Sequence, residues 1–268
     1  MRTRAAERVV HAMAGLPRRL RTRLARTVSA PVIALLYHRV VPTIGRDPQR
    51  LAVSAENFAA HLAWLSHRAE LIDEAVFLDV LEMRRRSRRP RVLITFDDGY
   101  ADNVHHAMPL LRKERVPAVL FVTSAAVDSG RPFAWDAPKP DDPLQRPLTW
   151  DELRAWRAAG LAVGAHSRMH PRFSTLNEEP LQGEVGGSKA ELEAACGAPM
   201  RMFAYPFGQR EDFDERARDA VRTAGFACAF ANWPGNIRWA CDRFALPRYL
   251  VRDWSSAAFA ARCEAWLR

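Results

Sequence analysis

The sequence predicts an α/β protein built on parallel strands, closed as a barrel or laid out as a doubly wound sheet. Two observations carry that prediction. Strand-like and helix-like segments alternate about seven times along the chain. The strand-like segments are near-continuous apolar runs, as expected where a parallel sheet is covered on both faces. The chain's 268 residues, 48% of them hydrophobic and 26% charged, are enough for one large core and exclude wholesale disorder, collagen and coiled coil.

The elements follow in order. Pro31–Val41 (PVIALLYHRVV) is the first buried strand. Ser54 is placed to cap a helix in which Phe58, Leu62 and Leu65 share one face. After an Arg-rich stretch, RVLITFDD is a second buried strand ending in two acids. Residues 101–114 read as a helix and Pro117–Thr123 as a strand. Residues 127–148 hold five prolines together with Phe133 and Trp135, the composition of a long surface loop, and long loops in compact domains often carry function. Thr149 caps the helix TWDELRAWRAAG, which Gly160 ends, and the strand LAVGAHS follows. Residues 178–196 look helical despite Gly183, Gly186 and Gly187. MRMFAYPFG is a strand, FDERARDAVRTAG a helix, FACAFAN and FALPRYLV strands, and Ser255–Leu267 the last helix.

Several function classes drop out. No G-x-G-x-x-G follows the first strand and no P-loop motif occurs, so nucleotide binding loses its main support. The four cysteines form no C-x-x-C pair and read as buried thiols. No run approaches the length of a membrane-spanning helix. The net charge of +9 could suggest nucleic acid, but it is local: residues 1–30 carry eight Arg and one Glu, and six more Arg lie between Arg84 and Arg91. Residues 1–30 are therefore a basic amphipathic N-terminal extension, interrupted by Pro17, that would suit a peripheral contact with an anionic membrane or a partner. Residues 31–268 are expected to form the main domain. No nucleic-acid role is expected, and the sequence leaves the oligomeric state open. With no export signal or spanning helix evident, a cytoplasmic or peripherally inner-membrane location is expected.

Three strand ends carry polar groups suited to a metal site. In Thr95-Phe96-Asp97-Asp98-Gly99-Tyr100, two carboxylates close an apolar strand; burying them is costly unless they are paired or bind a cation. One could ligate a metal while the other acts as a base; a solvated Asp-Asp-Gly turn is the alternative. In His166-Ser167-Arg168-Met169-His170, two imidazoles four residues apart could meet on one face of a helical turn and share a divalent ion. Phe203-Ala204-Tyr205-Pro206-Phe207-Gly208 is either plain core and turn, or a wall with a backbone N–H aimed at a developing oxyanion.

TFDDGY, H-S-x-x-H and FAYPFG, in this order, resemble the polysaccharide deacetylases of the NodB-like superfamily, carbohydrate esterase family four. LLYHRV, SGRPFAWD, LTWDELRAW and DRFALPR extend the similarity over about residues 31–255. The resemblance implies a distorted, incomplete (β/α) barrel with one divalent ion, usually zinc, at the C-terminal ends of its strands. It implies that Asp98, His166 and His170 hold the metal and that Asp97 is the general base. The backbone N–H of Phe207, beside Tyr205, would serve the substrate oxyanion. The implied reaction removes N-acetyl groups from N-acetylhexosamine units, GlcNAc first, of a bacterial glycan or its precursor. Another amide or ester substrate, such as a lipid-linked sugar, and a non-catalytic glycan-binding relative are the alternatives. Two positions depart from the common pattern. Ala204 stands where many members have an Arg that orients the catalytic Asp, and no His follows His170. Both departures resemble a permuted subgroup, the poly-N-acetylglucosamine deacetylases, whose catalytic His lies in an N-terminal Tyr-His motif. That makes His38 the expected catalytic histidine. Arg243 or Arg248 would replace the missing Arg.

Overall fold

The structure is a computed structural model, and it describes residues 30–82, 87–136, 142–238 and 240–268. The N-terminal extension, with the membrane or partner contact expected of it, and Arg84–Arg86 of the second Arg cluster lie outside the described residues. The chain runs β1 (Val32–Tyr37), β2 (Arg39–Val41), β3 (Ala52–Ser54), α1 (Ala55–Arg68), β4 (Glu70–Leu71), α2 (Glu74–Leu81) and β5 (Arg91–Phe96). A π-helical turn, Asn103–Ala107, leads into α3 (Met108–Glu114), followed by β6 (Val119–Val122), α4 (Trp150–Ala158) and β7 (Ala162–Ala165). Then come α5 (Glu178–Cys196), β8 (Met202–Ala204), α6 (Glu215–Thr223), β9 (Cys228–Phe230), β10 (Tyr249–Leu250) and α7 (Ser256–Trp266).

The main sheet has the order β10-β1-β5-β6-β7-β8-β9, with every pair parallel and β4 added at the start of β5. Its two ends approach through one segment. Leu246 bridges Phe230 of β9, and Tyr249 and Leu250 pair with Leu35 and Leu36 of β1. Pro247, which has no N–H to give a ladder, and Arg248 lie between these contacts. The sheet therefore curls into the distorted barrel rather than the doubly wound alternative.

Period-two alternation sorts the strand residues into two cores. Ile33, Leu35, Tyr37, Ile94 and Phe96 face outward, where Phe58, Leu62 and Trp156 of the helices cover them. Val32, Ala34, Leu93, Phe121, Ala204 and Phe230 face inward, joined by Phe77 and Leu78 of α2. The same alternation carries Thr95 and then Asp97 onto the inner face beyond Leu93, and it brings His38 there beyond Leu36.

Several expectations change on folding. The Pro31–Val41 run is not one strand: it breaks at His38, and β2 leaves the barrel to pair with β3. The helix expected over 101–114 begins with the π-helical turn, a local widening often found at functional sites. Elements β4 and α2 had no clear pattern in the sequence. The caps hold: Ser54 Oγ accepts from Asn57 N–H, and Thr149 and Glu152 form a capping box.

Candidate active site

Strand β5 delivers two carboxylates in different directions. Asp97 N–H continues the ladder to the Tyr37 carbonyl at 3.0 Å. The chain then turns through two left-handed residues, Asp98 (φ 73°) and Gly99 (φ 85°). A Cβ on Gly99 would lie 3.2 Å from Val122 Cγ1, so β6 also requires glycine there. Asp97 receives a forked pair of hydrogen bonds from Arg248, Nη1 to Oδ1 and Nη2 to Oδ2, both at 2.7 Å. Arg248 is itself buried and placed by the barrel. Its Nε donates to the Ala231 carbonyl at 3.0 Å and its guanidinium lies over Phe121 and Phe230. Phe121 in turn lies against Gly164 of β7, where any Cβ would stand 2.4 Å from the ring. The Arg absent at Ala204 is thus supplied by Arg248 and not by Arg243. Burial alone would raise the Asp97 pKa, but the Arg248 charge, with help from His166, brings it below the ordinary carboxylate value.

Asp98 turns to the histidines. His166 N–H donates to the Val122 carbonyl at 2.9 Å, and its Nδ1 lies 2.8 Å from the Ala204 carbonyl. A carbonyl only accepts, so Nδ1 carries a proton and Nε2 is the nitrogen left to face Asp98. That Nε2 is 3.4 Å from Asp98 Oδ1, and His170 Nε2 is 3.5 Å from the same oxygen. The two rings do not meet on a helical turn, as their spacing suggested. Residues 166–170 form a loop with Ser167 (φ 63°) and His170 (φ 59°) left-handed, held by a 2.9 Å bond from His170 N–H to Ser167 Oγ. Burial raises the Asp98 pKa, but the hydrogen bond from His166 and the charges of His38 and His170 outweigh it and bring the value down to about 2. Burial is also the largest influence on His170, lowering it to about 4, with His166 adding to that and Asp98 opposing.

The Asp98, His166 and His170 donors lie within 4.8 Å of one another. Donors about 2.0–2.1 Å from a tetrahedral ion stand about 3.3 Å apart, close to the separations from Asp98. His166 already makes the outer hydrogen bond that ligating histidines use for orientation. These residues therefore fit a small divalent ion, and the nitrogen-rich donor set suits zinc.

The other expected residues divide. His38 follows the last residue of β1. Its carbonyl accepts from Asn103 Nδ2 at 2.9 Å, and its buried Nδ1 has no hydrogen-bond partner among the described residues. Burial lowers its pKa, with Asp98 and Asp97 pulling the other way, so it belongs to the same group of charges. Phe207 is left-handed (φ 59°) and 39% exposed. Its ring lies between His170, 4.8 Å away, and the Arg172 guanidinium, 4.3 Å away. Its N–H has no acceptor among the described residues. Tyr205 does not line the site with its phenol. The ring stacks on Phe213 at 3.9 Å and the hydroxyl donates to the Phe244 carbonyl, so its side chain supports the turn from within the core. Trp135, not assigned a role from the sequence, packs 4.4 Å from His170 and stacks on Phe133. Its Nε1 donates to Tyr100 Oη at 3.0 Å. The only signal for it in the sequence was an aromatic pair within a polar, proline-rich loop.

A curled parallel sheet with an Asp-His-His cluster and a second, Arg-bound carboxylate at its strand ends defines a hydrolase of the (β/α)-barrel class. The chain belongs to the polysaccharide deacetylase family, whose model matches residues 84–229, and within it to the NodB-like carbohydrate esterases of family four. It is 24% identical to YxkH of Bacillus subtilis over 86% of this chain and 75% of that protein. It is 23% identical to the poly-beta-1,6-N-acetyl-D-glucosamine N-deacetylase of Staphylococcus epidermidis, over 87% of this chain and 82% of that protein. Among solved structures it superposes on IcaB from Ammonifex degensii with a TM-score of 0.73 and 26% identity, covering 87% of this chain and 97% of that one.

Proposed function

We propose that this polysaccharide deacetylase is metal-dependent and hydrolyses N-acetyl groups from N-acetylhexosamine units, GlcNAc first, in a bacterial glycan or its precursor. The observation that carries this reading is the convergence of Asp98, His166 and His170 beside the Arg248-bound Asp97. The acetylated substrate of the staphylococcal relative supports the choice of sugar. A divalent ion held by Asp98, His166 and His170, zinc by their chemistry, supplies Lewis acidity at the acetamide when bound. Asp97 takes a proton from the attacking water. Arg248 occupies one lone pair on each of its oxygens and leaves the others free. The unpaired N–H of Phe207 donates to the oxygen that gains charge as the carbonyl becomes tetrahedral. His38, on the inner face next to Asp97, gives in its protonated form the proton that the leaving amine needs, and the proton taken up by Asp97 restores it. The products are acetate and a free amine on the sugar. Trp135 and Phe207 both pack against the His170 ring.

Acetate release from N-acetylglucosamine oligomers, measured with and without a chelator, tests the reading. Turnover is expected to vanish on chelation and return with Zn2+. In His38→Ala, turnover should drop about 10²–10⁴-fold while bound zinc stays at the wild-type ratio. Turnover that survives complete metal removal would overturn the metal reading. Loss of zinc from the His38 variant would make that residue a ligand instead of the acid.

A further inference from the structure

The loop that carries both histidines rests on one face of α5, and its contacts there are specific. Glu184, Gly187 and Glu191 lie three and four residues apart and so share that face. One oxygen of Glu184, Oε2, accepts from two successive backbone amides, Arg168 N–H and Met169 N–H, each at 2.9 Å. These are the two residues immediately before His170. The Arg168 side chain then crosses the helix over Gly187, where a Cβ would stand 2.4 Å from Arg168 Cδ. It ends on Glu191, with Nε to Oε1 at 2.7 Å. The other oxygen of Glu191 accepts from Ser124 Oγ at 2.5 Å. Ser124 and Ala125 close the frame with backbone bonds to the Ser167 and Arg168 carbonyls at 3.1 and 3.0 Å.

Of the three glycines that made this helix look weak, only Gly187 has a reason of this kind. A Cβ at Gly183 or Gly186 would have no neighbour within 4 Å, so a methyl group there meets open space. A helix that keeps the costly residue where a loop side chain crosses it is shaped to that loop.

We propose that Glu184, Gly187 and Glu191 are positioning residues that hold the His166–His170 loop in its ligating geometry and so set the affinity of the site for its ion. This rests on the metal reading above. Two non-glycine residues of the loop, Ser167 and His170, are left-handed, a conformation that persists only when surrounding contacts impose it. The Glu184 carboxylate supplies such contacts between them. The role needs an acceptor oxygen more than a charge, so an amide should replace the carboxylate.

The test uses the full chain, stripped of metal and titrated with Zn2+ against a chromophoric chelator. Glu184→Ala and Gly187→Ala are expected to weaken zinc binding roughly tenfold or more, the range found when groups supporting metal ligands are removed. Glu184→Gln should retain most of the affinity, and Gly183→Ala and Gly186→Ala should retain all of it. Melting of the metal-free protein separates this from a merely structural role. Gly187→Ala should melt close to wild type, because the gain of alanine in the helix offsets the displaced Arg168 contact. Amide exchange at Arg168 and Met169 in the metal-free state should speed up in Glu184→Ala. Wild-type affinity for zinc in both alanine variants would overturn the positioning role. If wild-type protein binds no zinc, the metal reading fails first. In that case unchanged exchange at the two amides would also remove the loop-holding role.

Discussion

A carboxylate sunk into an apolar barrel stays charged only if something replaces its lost hydration. For Asp97 that replacement is the Arg248 fork, and Arg248 has in turn lost its own water to the same interior. Removing one partner of such a pair costs far more than the pair contributes, because the other charge is left uncompensated. Arg248→Met should therefore destabilise the fold by about 3–5 kcal/mol, raise the pKa of Asp97 and lower turnover. Arg248→Lys should fall between, keeping the charge but losing the two-pronged geometry. Urea unfolding of the two variants checks this, and a wild-type midpoint for Arg248→Met would remove Arg248 from its assigned place. The sequence showed that an Arg was missing at Ala204 and offered two replacements in one short run. Choosing between them depends on which side chains of that run point into the barrel. That is settled by the break at Pro247, between the Leu246 bridge to β9 and the β10 pairing with β1.

Among the elements, α1, α7 and β1 meet through one histidine. His61 of α1 lies 2.8 Å by Nε2 from the Trp254 carbonyl, and its ring stacks on Phe259 of α7 at 3.9 Å. Its Nδ1 is 3.3 Å from Tyr37 Oη of β1. The carbonyl demands a proton on Nε2, so Nδ1 accepts from the tyrosine and the ring is neutral. Burial lowers its pKa to about 4, outweighing the Trp254 hydrogen bond and Asp253, which act in the opposite direction. The unfolded chain binds this proton below about 6.5 and the folded chain only below about 4. Stability therefore falls as pH drops through that window, by about 3 kcal/mol at its acid end, and does not depend on His61 titration above it. His61→Gln keeps a donor and an acceptor without the titration. Its stability difference from wild type should shift in its favour between pH 6.5 and 4, as read from urea midpoints. A difference independent of pH would rule the account out. Elements like these were legible where periodicity or a cap marked them, as at Phe58, Leu62 and Leu65 or at Thr149. Elements β4 and α2 were not, because two residues of strand and eight of helix are too short to show a period. Glu184 and Gly187 were unreadable for another reason: their partners lie on a different loop.

For the molecule as a whole, the barrel's interior and its C-terminal rim pull in opposite directions. The inner and outer cores favour folding, while the rim gathers two buried carboxylates, three histidines and four left-handed non-glycine residues, Asp98, Ser167, His170 and Phe207. Such backbone conformations cost on the order of 1 kcal/mol each and recur where function imposes them. The motifs made the residues of this rim legible in the sequence, but not its strain, since a left-handed His or Phe leaves no mark in composition. A ligand that binds only the folded rim shifts the whole folding equilibrium by mass action. At a free ion concentration of 100 times Kd, the gain is about 2.7 kcal/mol. For a chain of this size that corresponds to a melting temperature about 5–10 °C higher. Calorimetry of the protein before chelation, after it and after returning Zn2+ should show that difference lost and then recovered. Asp98→Asn should remove it, because the variant has no charged oxygen between the two histidines. If chelation leaves the melting temperature of wild type unchanged, the Asp98, His166 and His170 cluster holds no ion under those conditions. Its charges would then be balanced within the protein alone, through the contacts of Asp98 with the two imidazoles.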